Sequence, residues 1–257
     1  MSEDERASGL AAKSNADRRA VDVSVVLPFY NPGPLLRPTV LRTLEALEAS
    51  SLSYEVVAVS DGSSEASVAE ISDLASEKVR IVRLGLNQGK GAAVRLGLAL
   101  SKGRYRGFMD ADGDIDPTVL PIYLAHVRAG RADIIYGSKR HPDSDVVYPL
   151  LRRWYSFVFQ RFVRALFRLH VPDTQTGIKF IRDEALLGIL PKACEVGFAF
   201  DVELFVVALK LGFDGFTEAP VVIGRRVAST IDVRAIVGII TDTVAVARRL
   251  RSGRYGV

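Results

Sequence analysis

Tyr105-Arg106-Gly107-Phe108-Met109-Asp110-Ala111-Asp112-Gly113-Asp114 is a short, mostly apolar run that breaks into three alternating acids. An apolar run bounded by a turn reads as a strand buried on both faces. The pattern occurs three times before it, at residues 23–27, 54–59 and 79–84. Periodic stretches at 35–49, 67–75 and 91–100 lie between these runs and read as helices. Strands alternating with helices build βαβ units, so the fold class is α/β: a Rossmann-like, mostly parallel sheet flanked by helices. Further along, 132–136 and 216–223 read as strands, and 173–181 as a turn entering a short strand. The stretches 149–169, 199–211 and 231–250 read as helices, the last amphipathic.

The 257 residues suit one large domain with an appended element. Hydrophobic residues at 48% and charged residues at 25% exclude a chain disordered throughout. One cysteine, Cys194, excludes an internal disulfide and a cysteine-cluster zinc site. The expected organisation is a disordered segment over 1–22, a catalytic-type domain over 23–230, and a basic amphipathic helix over 231–257. No signal-peptide pattern opens the sequence, and no uncharged apolar run is long enough to span a bilayer.

Ligands of parallel α/β sheets bind beyond the carboxyl ends of the strands. Four successive strand ends carry Pro28-Phe29-Tyr30-Asn31, Ser60-Asp61-Gly62-Ser63, Asn87-Gln88-Gly89-Lys90-Gly91 and Asp110-Ala111-Asp112-Gly113-Asp114. These offer an aromatic platform, a carboxylate, a Gly-Lys loop and an acidic cluster. Together they suit a base, a ribose, a diphosphate and a hard cation, since Mg²⁺ or Mn²⁺ takes one or two carboxylates plus substrate phosphates. Asp116 before Pro117 reads instead as a helix cap. The Gly89-Lys90-Gly91 loop departs from the P-loop in spacing and lacks its hydroxyl residue. It reads either as a phosphate cradle or as a plain strand-to-helix turn. No Gly-x-Gly-x-x-Gly follows the first strand, which argues against NAD. His126, His141 and His170 sit beside no serine or cysteine in a triad pattern.

The ordered set LPFYN (27–31), VSDGS (59–63), NQGKGAAVRLGL (87–98) and DADGD (110–114) resembles the nucleotide-binding half of family 2 glycosyltransferases with the GT-A fold. Gly137-Ser138-Lys139-Arg140, DTQTG (173–177) with Lys179, and FDVEL (200–204) are similar to polyprenyl-phosphate sugar synthases. The DTQTG and FDVEL forms, and Gly113 after Asp-Ala-Asp, look closer to dolichyl-phosphate β-glucosyltransferases than to the mannosyl branch. Ser60 and the Asn31-Pro32 pair depart from the family pattern at the base and ribose contacts. The resemblance implies that Pro28, Tyr30, Asn31 and Asp61 frame the nucleotide and Lys90 approaches the diphosphate. It implies that Asp110, Ala111 and Asp112 bracket the sugar diphosphate, with Asp112 and Asp114 as metal ligands. Asp112 and Asp201 are the expected catalytic residues. Asp201 and Glu203 stand two apart on a helix, so one points into the site; Asp201 is the choice, and Glu203 is left between a site role and structural ion pairing.

Residues 148–170 hold five arginines and no acid, interleaved with aromatics. Such a helix lies on an anionic membrane, or buries its aromatic face in the core. Nucleic acid is disfavoured by the acidic strand ends. Arg140, Arg152 and Arg153 are candidates for an acceptor phosphate, because guanidinium forks match phosphate oxygens. Arg225 and Arg226 are candidates for the diphosphate. The expected activity is inverting transfer of a hexose, glucose from UDP-glucose, to a polyprenyl phosphate by a peripheral enzyme on the cytoplasmic face of a membrane. The alternatives are GDP-mannose as donor, and a non-catalytic nucleotide-sugar-binding or membrane-surface scaffold.

Overall fold

The computed structural model describes residues 21–147, 150–224 and 233–256, without the side chains of 150–153 and 233–236. Residues 1–20, Arg225 and Arg226, and the side chains of Arg152 and Arg153 therefore lie outside the described part.

The first half alternates as expected. Strand β1 (Val21–Phe29) leads to helix α1 (Leu36–Glu48), β2 (Tyr54–Asp61), the short α2 (Glu65–Ala69), β3 (Val79–Leu84), α3 (Lys90–Leu100), β4 (Gly103–Met109), α4 (Leu120–Ala129) and β5 (Ile134–Ser138). β1 begins at Val21, two residues before the expected domain boundary. The periodic stretch 67–75 forms less helix than expected, because α2 ends at Ala69 and a 3₁₀ turn (Ser72–Leu74) follows. Asp116 caps the turn before α4 by accepting the Thr118 N–H at 3.0 Å.

The second half holds the two-residue β6 (Asp145–Val146), α5 (Leu150–Phe167), β7 (Ile178–Arg182), α6 (Asp183–Ile189), α7 (Phe200–Lys210), β8 (Phe216–Pro220), β9 (Val222–Ile223) and α8 (Val233–Arg251). The expected single strand over 216–223 is broken at Val221, whose N–H donates to the Ser144 hydroxyl instead of a strand partner. β9 then pairs with β6 in a separate two-stranded sheet.

The main sheet has seven strands in the order β3-β2-β1-β4-β7-β5-β8. β7 runs antiparallel to both β4 and β5; the other pairings are parallel. The pleat explains why the central strands read as unbroken apolar runs. Val23, Val25 and Leu27 face a core shared with α1 and α4, whereas Val26 faces a second core shared with α3, α6 and α7. Val246 and Tyr255 belong to that second core, so the C-terminal helix and its exit are packed into the domain rather than hung from it.

α5 divides its aromatics. Val163 is buried, with Phe159 and Phe167 packed against the second core, while Trp154 is 60% and Phe157 51% exposed. Among the described residues, no helix is long and apolar enough to cross a membrane.

Candidate active site

The carboxyl ends of β1, β2 and β4 and the amino end of α3 surround one cleft of about 430 Å³. Of the residues expected there, Pro28, Tyr30, Asp61, Lys90, Asp110, Ala111 and Asp112 line it together. Phe29, Pro32, Asn87, Gly89, Ala93, Gly197 and Phe198 complete the lining. Tyr30 is exposed, as a stacking surface must be before a base arrives.

Asn31 is a different case. It adopts φ 45° and turns its amide away to a loop, where Oδ1 accepts the Ser64 N–H at 2.9 Å. It fixes the exit of β1 rather than lining the cleft. Asp61 does both: it lines the cleft, and its two oxygens accept the N–H groups of Gln88 and Gly89 at 2.8 and 2.9 Å.

The Gly89-Lys90-Gly91 turn has a steric origin. A Cβ on Gly89 would come within 2.6 Å of the Val196 carbonyl oxygen, and one on Gly91 within 2.7 Å of the Val196 carbonyl carbon. That carbonyl also accepts the Ala92 N–H at 3.3 Å. Of the two readings of this turn, close packing accounts for both glycines, and one N–H that a phosphate would use already has a protein acceptor.

Lys90 is the hub of the charge array. Its ammonium lies 2.8 Å from Asp110 Oδ1 and 3.7 Å from Asp201 Oδ2. Burial pulls the Lys90 pKa down, but Asp110 and Asp201 outweigh it, so the group stands above an ordinary lysine and stays cationic. Burial pushes the Asp110 carboxyl up despite Lys90. Asp110 is aimed by the start of β7: its N–H donates to the Gly177 carbonyl at 2.8 Å. A Cβ on residue 177 would stand 1.8 Å from Asp110 Oδ2, so only glycine leaves room for the carboxylate.

Asp201, not Glu203, approaches the site from α7, but it is enclosed beneath the cleft. It is 2% exposed, and Lys179 donates to its Oδ1 at 2.5 Å. It thus touches Lys90 from behind and is not part of the cleft wall. Glu203, on the opposite side of α7, binds the N–H groups of Cys194 and Glu195 at 2.7 Å each, which is a structural role. Lys179, of the DTQTG-Lys179 stretch, is a further residue of the site. Its signal is a lysine in the apolar run Ile178-Lys179-Phe180-Ile181; such a lysine is wholly buried only with a counterion. Burial lowers its pKa against the opposing pull of Asp201.

Asp112 is half-buried on the cleft wall and its Oδ1 accepts the Asp114 N–H at 3.1 Å. Asp114 is outside the lining. Among the described residues, no three His, Cys, Asp or Glu side chains converge as a ready-made metal cage. The donor set nevertheless fits Mg²⁺ or Mn²⁺: hard carboxylate oxygens at a cleft edge, with room for water and phosphate oxygens to complete the shell.

Arg140 lies outside the cleft, exposed, with its guanidinium 5.8 Å from the centre of the Phe157 ring. It borders a second cavity of about 210 Å³ with Arg161, Arg164 and His170. Next to it, Lys139 is held by Asp173 at 3.0 Å and by Thr176 at 2.9 Å.

Comparison with known proteins finds relatives by sequence and neighbours by fold. The dolichyl-phosphate beta-glucosyltransferases of Dictyostelium discoideum and Drosophila melanogaster are 31% and 32% identical over 204 and 213 residues. The alignments cover 74% and 76% of this chain but 62% and 65% of those proteins, so the chain spans under two thirds of their length. Glucosyl-3-phosphoglycerate synthase from Mycobacterium tuberculosis, solved with Mn²⁺, UDP-glucose and phosphoglyceric acid, superposes with a TM-score of 0.66 at 16% identity, covering 95% of this chain and 83% of that one. At that identity the likeness is one of fold, and the fold is GT-A. The profile of Glycosyl transferase family 2 matches residues 24–189, and the chain belongs to that family.

Proposed function

We propose that the chain transfers glucose from UDP-glucose to a polyprenyl phosphate with inversion, aided by Mg²⁺ or Mn²⁺, while seated on the cytoplasmic face of a membrane. The observation that carries this reading is the convergence of Tyr30, Asp61, Lys90, Asp110 and Asp112 on one cleft. The names of the two aligned glucosyltransferases support the acceptor class and the sugar.

Tyr30 and Asp61 hold the base and ribose, and Lys90 faces the diphosphate. Asp112, with Asp110 beside it, would hold the cation, which supplies charge neutralisation at the leaving diphosphate. Asp110 and Asp201 hold Lys90 in place and charged, and Lys179 fixes Asp201 from behind. The acceptor needs no strong general base: a phosphate monoester has a second pKa of about 6 and is largely ionised at neutral pH. Its oxygen attacks the anomeric carbon, the bond to the diphosphate breaks in line, and an α-linked donor yields a β-linked lipid phosphate. The enzyme contributes positioning and charge stabilisation. Arg140 serves the acceptor phosphate, together with Arg152 and Arg153; Arg225 and Arg226 serve the diphosphate.

The exposed face of α5 supports the membrane contact. Trp154, Tyr155, Phe157 and Val158 stand in solvent with Arg161 and Arg164 close by, the chemistry of an interfacial helix. The test is transfer of labelled sugar to polyprenyl phosphate by the full chain with Mg²⁺ or Mn²⁺, from UDP-glucose and from GDP-mannose in parallel. Transfer from UDP-glucose is expected. Transfer from GDP-mannose alone reassigns the sugar, and transfer from neither leaves the scaffold alternative standing.

A further inference from the structure

Glu203 is wholly buried, 0% exposed, and lies away from the charge array around Lys90. Its Oε2 accepts the N–H groups of Cys194 and Glu195, each at 2.7 Å. Its Oε1 accepts the Tyr255 hydroxyl at 2.6 Å and faces the Arg249 guanidinium at 3.4 Å. Arg249 also pairs with Glu195. A buried carboxylate with every oxygen engaged is a fixed post, because moving it would strand a charge and several donors.

That post anchors the loop 194–198. Val196, next in the loop, packs its carbonyl onto Gly89 and Gly91 on either side of Lys90. Gly197 and Phe198 then form one wall of the donor cleft, with Phe198 53% exposed toward it. The path is short and made of explicit contacts: Tyr255 and Arg249 to Glu203, Glu203 to Cys194 and Glu195, Val196 to the turn that carries Lys90.

We infer that Glu203 is a positioning residue for the nucleoside diphosphate, setting the Gly197-Phe198 wall and the Lys90 turn through the 194–198 loop, with Arg249 of the C-terminal helix and Tyr255 just beyond it holding it in place. This deepens the proposed donor site and rests on it. Donor affinity thereby depends on a tyrosine more than fifty residues further along the chain that never touches the donor.

The experiment titrates UDP with Mg²⁺ into the full chain by calorimetry and measures KM for UDP-glucose and kcat. Glu203→Ala should weaken UDP about tenfold and raise KM with kcat nearly unchanged. Glu203→Gln, which keeps an acceptor oxygen for the two N–H groups, should restore most of the affinity. Phe198→Ala, at an exposed position, should weaken UDP with an unaltered melting temperature, and Tyr255→Phe should weaken it by a smaller factor. A folded Glu203→Ala with wild-type UDP affinity, or one losing kcat alone, overturns the inference. If Glu203→Ala does not fold, wild-type affinity in both Phe198→Ala and Tyr255→Phe overturns it. A wild-type chain that binds no UDP overturns the donor reading itself, and this inference with it.

Discussion

The Lys179 ammonium donates to Asp201 at 2.5 Å in a pair enclosed on all sides, with Lys90 3.7 Å beyond on the cleft side of Asp201. Two lysines thus share one buried carboxylate, and only one of them reaches the cleft. Replacing Lys179 by methionine keeps the length of the side chain but leaves Asp201 less compensated. The expected cost is about 3–5 kcal/mol of stability, read by urea unfolding. Adding Asp201→Asn to that variant should recover a large part of it. A Lys179→Met protein as stable as wild type would mean that the pair does not hold the fold.

Gly177→Ala tests the aiming of Asp110. A methyl group there would stand 1.8 Å from Asp110 Oδ2, so the carboxylate must leave Lys90. Overpacking of this kind costs about 1–3 kcal/mol, and sugar transfer should fall by more than the lost stability explains. Gly238→Ala, with nothing within 4 Å of its added carbon, is the matched control and should behave as wild type.

Asp112→Asn should lower turnover by about a hundredfold or more, the scale of losing one charge-stabilising group. Its half-buried position at the cleft predicts an unchanged melting temperature. Asp114→Asn should lose less, since Asp114 is not part of the lining. Equal turnover in Asp112→Asn and wild type would remove Asp112 from the metal role.

Asp173 supplies a pH signature. Burial alone would raise its carboxyl, but Lys139 and Thr176 outweigh burial and hold it below the ordinary value of 3.8. The folded state therefore binds this proton less readily than the unfolded chain. Its stabilising contribution is present above about pH 3.8 and is lost as pH falls through the lower folded value. Asp173→Asn should be less stable than wild type at pH 7, and the two stability curves should converge below pH 3.8. Curves that stay parallel down to pH 2 would show that Asp173 titrates normally.

The interfacial face of α5 is tested by Trp154→Ser with Phe157→Ser. Both side chains are more than half exposed, so melting should not change, while binding to anionic vesicles should drop by at least about tenfold. Deleting residues 231–257 is a poorer probe. It would remove Val246 and Tyr255 from the second core and Arg249 from Glu195, and the protein would lose stability along with any membrane contact.

Much of the donor half was legible because each βα unit announces itself locally: apolar run, polar strand end, periodic helix. The strand ends carried their chemistry in residue order, which is why Tyr30, Asp61, Lys90 and the Asp110–Asp112 pair could be brought to one side of the sheet in advance. What escaped depends on pairing across long separations. The antiparallel setting of β7 brings Gly177 under Asp110, and nothing near residue 177 says so. Phe198 is a loop residue whose place in the cleft follows from Glu203 holding residues 194 and 195, a contact that no local pattern encodes. The glycines around Lys90 leave room for the carbonyl of Val196, a distant contact that no local pattern encodes. Asn31 sat in the right motif but spends its amide on Ser64.

β7 sits between β4 and β5 although it is made some forty residues after β5. Until residues 178–182 emerge, β4 is the open edge of a four-stranded sheet, and Asp110 lacks the Gly177 carbonyl that receives its N–H. An exposed apolar edge strand invites pairing with other chains. Insertion of β7 therefore closes this edge of the nascent chain and sets the acidic end of β4 in a single event. A ribosome-bound chain halted before residue 178 should be sticky, and it should lose that trait once residues 178–182 can pair with β4.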